Sequence, residues 1–137
     1  MTLTKATLGL SGLIALAVSI GVLFLPHEFH ATAGIQLGTD VNLLNEMRAS
    51  GGMLLISALF ILVGAFRAQL TDLALIVSAT LYLSYGLSRL VSLVADGMPG
   101  AGLLQILVLE LAIGGLCAVL LVTSPASRRN ATRIAQA

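Results

Sequence analysis

The stretch AGLLQILVLELAIGGLCAVLLV (residues 101–122) contains one charged side chain, Glu110, among almost uninterrupted apolar residues. About 20 helical residues span the ~30 Å hydrocarbon core of a bilayer, so this stretch is long enough to cross a membrane. Helix is the expected conformation, because an unpaired backbone amide in lipid costs several kcal/mol. The stretch therefore predicts a transmembrane helix.

Three further stretches have the same character, and the breaks between the stretches contain Pro, Gly and charged residues. The predicted helices cover about residues 6–25, 44–66, 72–95 and 101–122. They leave an external loop at 26–43 and a cytoplasmic tail at 124–137. The predicted fold class is all-α: a single polytopic membrane domain (1–137) built as an antiparallel bundle of four transmembrane helices.

The composition excludes several classes of function. Apolar residues make up 58% of the chain and charged residues only 9%, whereas soluble domains carry roughly 25% charged residues. The net charge of +1 and the lack of a basic block with aromatic residues exclude a nucleic-acid partner. The single cysteine, Cys117, can form no internal disulfide and belongs to no zinc-binding spacing.

Lysine and arginine are distributed unequally between the two sides of the predicted bundle. The connections at 26–45 and 96–100 contain neither residue, and the basic residues near the other helix ends are Lys5, Arg67, Arg128, Arg129 and Arg133. Because cytoplasmic loops are enriched in Lys and Arg, we expect both termini to be cytoplasmic.

A reporter that is active only in the cytoplasm should be active when fused after Ala137. Activity of a periplasmic reporter at that position would reverse the topology.

Four ionisable residues lie within or at the mouths of the helices, namely Glu46, Arg48, Arg89 and Glu110. Even on the most lenient scale, a charge at the helix centre costs about 2.5–3.5 kcal/mol, so each needs a partner. At 1.5 Å per residue, Arg89 and Glu110 lie about 10 and 13 Å deep from the same side. The sequence therefore predicts that these two residues pair, with Glu46 and Arg48 above them.

Spacings of three and four residues place six polar side chains on one face of the third predicted helix: Ser78, Tyr82, Tyr85, Arg89, Ser92 and Asp96. The first predicted helix has a face of small residues at Ser11, Ala15 and Ser19, a pattern that packs membrane helices. The predicted intramembrane polar cluster contains Glu46, Arg48, Tyr82, Tyr85, Arg89, Ser92, Asp96 and Glu110. Two interpretations remain open, a binding or transport site and an ion pair that fixes helix register.

The sequence has no catalytic motif and only a weak metal-binding pattern, so it gives little support to an enzyme. The sequence contains no nucleophile elbow, zinc-protease, P-loop or dinucleotide-binding motif. His27 and His30 flank Glu28, but three-residue spacing on a loop is a weak metal signal. We therefore predict no catalytic residue and no metal site, and the sequence identifies no cofactor.

Two segments resemble a known family, LNEMRASGGMLL (44–55) and YGLSRLVSLVADGMP (85–99), followed by a glutamate in the last helix. They are similar to a family of small bacterial four-helix inner-membrane proteins classed as a domain of unknown function. Ser88 stands where that family often has glycine. The resemblance implies a multi-pass protein of the inner (cytoplasmic) membrane and lends no activity. The architecture is also similar to DoxX-like membrane proteins. The matching positions are Glu46, Arg48, Arg89, Ser92, Asp96, Gly97 and Glu110.

These observations favour a non-enzymatic role, with two forms open. The protein is either an accessory subunit of a larger membrane complex or a binder of a small apolar or lipid ligand. The alternative is a small proton-coupled exporter that uses Glu110; a membrane enzyme is less favoured. The expected partners are the lipid bilayer and either a larger complex or further copies of the chain. For a partner, we expect an apolar outer face on the fourth helix, opposite Glu110, formed by Leu103, Leu107, Leu111 and Ala118.

Overall fold

The computed structural model describes residues 2–124 and consists of helices joined by short connections. The helices are α1 (Thr2–Phe24), α2 (Pro26–Ala31), α3 (Val41–Phe66), α4 (Thr71–Ala95) and α5 (Ala101–Val122), with a 3₁₀ turn at Ala68–Leu70. Among the described residues, four helices are long and apolar enough to cross a membrane: α1, α3, α4 and α5. The predicted all-α bundle of a multi-pass membrane protein is therefore confirmed.

The helix ends differ from the predicted ones for local reasons. The Asp40 side chain accepts hydrogen bonds from the backbone N–H groups of Asn42 (2.8 Å) and Leu43 (3.4 Å), so this N-cap starts α3 at Val41 rather than near 44. The predicted loop at 26–43 contains α2, which begins with Pro26, a residue suited to the first helical position. Six residues are too few to show a hydrophobic period. Of the predicted tail, only Ser124 is described; 125–137 lie outside the described residues.

The helices form two closely packed pairs. α1 packs mainly against α3, and α4 mainly against α5; α4 also contacts α3, while α1 has smaller contacts with α4 and α5. We call the end where α1 finishes and α5 begins the α2 end. The opposite end, where α1 begins and α5 finishes, is the terminal end.

The core is densest in the half of the bundle nearest the terminal end. Leu8, Ile61, Leu75 and Cys117, one from each spanning helix, are at most 1% exposed there. Nearer the α2 end, the buried cluster contains only Ala15, Ala58 and Tyr82. Val22, Leu54 and Leu107 are also buried in that half, but the large side chains that are completely buried, Leu8, Ile61 and Leu75, lie near the terminal end, so the two halves of the bundle are filled unequally.

A chain of polar side chains links α1, α4 and α5 between these two clusters. Cys117 Sγ lies 3.3 Å from Ser78 Oγ, and Ser78 Oγ lies 3.2 Å from Ser11 Oγ. The Tyr82 hydroxyl donates to the Ser11 carbonyl oxygen at 2.5 Å. These contacts satisfy the polar groups of Ser78 and Tyr82 within the bundle, and Ser11, Ala15 and Ser19 form the predicted buried face of α1.

The predicted outer face of α5 is wrong. Leu107 is only 8% exposed, because it lies three residues before the buried Glu110 and so shares its face of the helix. Leu103, Leu111 and Ala118 are half-buried. The exposed large apolar side chains of α5 are Ile106, Val108, Leu109, Leu116, Val119 and Val122.

Candidate functional site

An ion pair joins α4 to α5 within the bundle. Arg89 Nε donates to Glu110 Oε2 at 2.8 Å, and the two side chains are 33% and 10% exposed. Charge-assisted hydrogen bonds of this length are stronger than those between neutral groups. The predicted contact between Arg89 and Glu110 is therefore confirmed.

Two glycines allow α4 and α5 to approach closely enough for this pair. Gly86 lies against the Leu111 side chain, and Gly114 lies against Leu83, including its backbone nitrogen. A side chain at either glycine would occupy space that the facing helix already fills. These two glycines thus set the distance between the two helices on which the ion pair depends.

A cavity of about 560 Å³ lies between the spanning helices, with Arg89 and Glu110 in its wall. We call it the central cavity. All four spanning helices contribute to its wall, together with α2 and the residues that follow α2. The lining residues are Ile14, Ala15, Val18, Val22, Phe29, His30, Thr32, Ala33, Ile35, Met47, Ser50, Leu54, Leu81, Tyr82, Tyr85, Arg89, Leu103, Ile106, Leu109 and Glu110.

The wall of the central cavity is mostly apolar, with polar side chains on α4 and α5 and a second polar group, His30, Thr32 and Ser50, on α2, the segment after it and α3. Side chains from α1 and α5 other than Glu110 are aliphatic, whereas Tyr82, Tyr85 and Arg89 of α4 meet Glu110 of α5. Pockets for small molecules typically have volumes of about 300–1,000 Å³ and apolar walls with a few polar groups. The central cavity has both properties.

The α2 segment is held against the end of α1. The Phe29 ring lies against Gly21, where a side chain on α1 would collide with it. His30 Nδ1 donates to the Pro26 carbonyl oxygen at 2.8 Å, since a carbonyl oxygen can only accept. Within residues 2–124, no cluster of three His, Cys, Asp or Glu side chains could hold a metal ion.

The structure brings together four of the eight predicted cluster residues: Tyr82, Tyr85, Arg89 and Glu110 all line the central cavity. The other four lie outside it and are exposed: Glu46, Arg48, Ser92 and Asp96.

Each of these four has local surroundings that explain its position. Arg48 donates to the Leu23 carbonyl oxygen at the end of α1, not to Glu110. Ser92 Oγ donates to Asp96 Oδ2 at 2.8 Å one turn along α4. Glu46 makes no hydrogen bond or ion pair with any residue in 2–124. The expected layer of Glu46 and Arg48 above the ion pair is therefore wrong, because the start of α3 directs Arg48 toward α1.

Sequence reasoning missed the contributions of α1, α3 and α2 to the cavity wall. Ser50, Phe29 and Val18 were not identified as site residues, although all three line the cavity. Pro26 in PHEFH was the available signal for α2, since proline favours the first turn of a helix. In the sequence, the aliphatic residues of the cavity wall cannot be distinguished from aliphatic residues of the core.

The model of a family described as a domain of unknown function (DUF4345) matches residues 3–121, and the chain belongs to this family. No curated protein and no solved structure matches the chain. The resemblance to a family of unknown function is thus confirmed, while the likeness to DoxX-like proteins gains no support.

Proposed function

We propose that this member of the DUF4345 family binds a small apolar molecule, such as a lipid, in the central cavity. The observation that carries the proposal is the cavity itself: about 560 Å³ of mostly apolar space beside the Arg89–Glu110 pair. The function is binding without a catalytic step. We place it in the inner (cytoplasmic) membrane of a bacterium, with both termini in the cytoplasm.

The unequal filling of the bundle supports a binding role. The half nearest the terminal end is closed by Leu8, Ile61 and Leu75, whereas Ala15, Val18 and Ser50 line space in the other half. Space without an occupant lowers stability in proportion to its volume, because the surrounding atoms lose their contacts. An apolar ligand restores those contacts, so an apolar molecule in the cavity should stabilise the bundle more than a polar one.

The ion pair favours binding over proton-coupled export. An exporter that uses Glu110 would have to break the contact with Arg89 in each cycle, and arginine does not lose its proton in proteins. Among residues 2–124, no second Lys or Arg lines the central cavity to replace Arg89. The accessory-subunit hypothesis lacks a comparable observation, since exposed apolar side chains occur on all four spanning helices, as lipid contact requires.

Photolabelling with an alkyl diazirine tests the proposed binding. Val18 is half-buried and lines the central cavity, so Val18→Phe places a ring in the space that the probe would occupy. Ile20, on the same helix, is 43% exposed and lies outside the cavity, so Ile20→Phe is the matched control. We expect the wild type and Ile20→Phe to carry probe adducts on cavity residues such as Leu54 and Leu81, measured by mass spectrometry of peptides.

Val18→Phe should lose the adducts on Leu54 and Leu81 but keep those on lipid-facing residues. The lipid-facing adducts report the probe concentration in the micelle and serve as the internal reference. Adducts confined to lipid-facing residues in the wild type would refute a binding role for the cavity. Equal labelling of Leu54 in Val18→Phe and the wild type would do the same.

A further inference from the structure

We infer that the ligand of the central cavity carries a neutral carbonyl-type oxygen, which accepts hydrogen bonds from Arg89 and Tyr85. This inference rests on the proposed binding function and identifies the chemical class of the ligand. The class comprises apolar molecules with a ketone, ester or quinone-like oxygen. Three observations carry it: unused hydrogen-bond donors, the charge balance of the wall and the apolar surface opposite.

The polar wall offers more donors than the protein itself uses. Arginine has five N–H donors, and Arg89 engages only Nε, in its bond to Glu110. Its two terminal nitrogens have no hydrogen-bond partner within residues 2–124. The Tyr85 hydroxyl also lacks one in that part of the chain, and Tyr85 lines the cavity together with Arg89 and Glu110.

These free donors are accessible. Among the described residues, no completely buried side-chain nitrogen or oxygen lacks a hydrogen-bond partner, and both Arg89 and Tyr85 line the central cavity. Tyr82 provides the contrast, because its hydroxyl is already bound to the Ser11 carbonyl oxygen at 2.5 Å. Tyr85 and Arg89 are therefore the groups that a ligand oxygen can reach without breaking a bond of the fold.

The charge of the wall favours a neutral oxygen over an anionic one. Arg89 and Glu110 neutralise each other, and no other Lys, Arg, Asp or Glu among residues 2–124 lines the cavity. His30 also lines it, and its Nδ1 already donates to the Pro26 carbonyl oxygen. A carboxylate or phosphate headgroup would bring an uncompensated charge into an apolar site, which is strongly disfavoured. A carbonyl oxygen accepts the same hydrogen bonds and adds no charge.

The rest of the wall suits the apolar part of such a molecule. Ile14 and Val18 of α1 and Leu54 of α3 provide an aliphatic surface on the cavity wall. A molecule with one polar end and an aliphatic body thus matches both sides of the site. An unsubstituted alkane would leave the donors of Arg89 and Tyr85 unpaired.

Competition against the alkyl diazirine tests the inference with three molecules of equal carbon number: an n-alkane, a methyl ketone and a fatty carboxylate. We expect the ketone to suppress labelling of Leu54 at about fiftyfold lower concentration than the alkane, roughly tenfold from the hydrogen bond to the charged Arg89 and about fivefold from the bond to Tyr85. The carboxylate should compete no better than the alkane.

Tyr85→Phe removes one free donor and no hydrogen bond of the fold, so it should fold as the wild type does. We expect it to reduce the advantage of the ketone over the alkane about fivefold, the effect of one neutral hydrogen bond. Arg89→Lys keeps a cation facing Glu110 but loses the planar group that can serve two acceptors, so it should also reduce the advantage.

Equal competition by the ketone and the alkane would overturn the inference, as would strongest competition by the carboxylate. An undiminished ketone advantage in both Tyr85→Phe and Arg89→Lys would also overturn it. In each of these outcomes the probe still labels the cavity, so the binding function stands. Failure of the probe to label the cavity of the wild type refutes the binding function instead.

Discussion

Glu110→Gln and Arg89→Met should each lower the free energy of unfolding of the bundle in detergent. Removal of one member of a buried ion pair leaves the other without a partner, at a cost of about 3–5 kcal/mol. Because Arg89 is 33% exposed, we expect both losses near the lower end of that range. The double variant, which leaves neither charge stranded, should recover much of the loss. Equilibrium unfolding of the four proteins in mixed micelles gives the coupling energy.

Glu46→Gln is the matched control for this cycle. Glu46 is also a glutamate of a spanning helix, but it is exposed and has no partner within residues 2–124. Its substitution should change the free energy of unfolding by no more than about 0.5 kcal/mol. Single-variant losses that simply add in Arg89→Met/Glu110→Gln would show that the two residues do not stabilise each other.

Gly114→Ala should destabilise the bundle, while Gly115→Ala should not. A Cβ atom at Gly114 would lie 2.9 Å from the Leu83 backbone nitrogen and 2.7 Å from its Cγ. Since the backbone of α4 cannot rotate away, the two helices must separate, and such overpacking costs about 1–3 kcal/mol. No atom lies within 4 Å of the corresponding position at Gly115. Alanine there replaces a poor helix former, a gain of roughly 0.5–1 kcal/mol.

The same unfolding measurement in detergent compares the two alanine variants. Separation of α4 from α5 should also weaken the Arg89–Glu110 contact, so Gly114→Ala should reduce the coupling energy of that pair. Similar stabilities of Gly114→Ala and Gly115→Ala would contradict the close approach of the two helices at Gly114.

The sequence predicted the fold well because lipid leaves a chain few choices. Apolar stretches of about 20 residues must be helical in a membrane, and four such helices are present. The contact between Arg89 and Glu110 followed from depth along two antiparallel helices that are adjacent in the chain. Both predictions needed only the rise per residue and the cost of an unpaired charge.

The central cavity could not be predicted in the same way. It depends on how α1 packs relative to α4 and α5, and aliphatic residues such as Val18 and Leu54 look the same in a wall and in a core. Leu107 shows how a helix face can be assigned wrongly from sequence: it was predicted to lie opposite Glu110, but a residue three positions away lies on the same face. Arg48 shows a second reason for error: its long side chain reaches the Leu23 carbonyl oxygen, and no sequence pattern predicts which backbone group such a side chain will contact.

Native mass spectrometry of the protein, released from micelles after purification from its own membrane, tests the central claim most directly. We predict that the wild type carries one bound apolar molecule with a neutral carbonyl or ester oxygen. Ile20→Phe should retain this molecule, and Val18→Phe should lose it because the added ring occupies space that the molecule needs between α1 and the polar residues of α4. An identical set of bound masses on all three proteins, or a wild-type chain that carries none, would contradict a ligand in the central cavity.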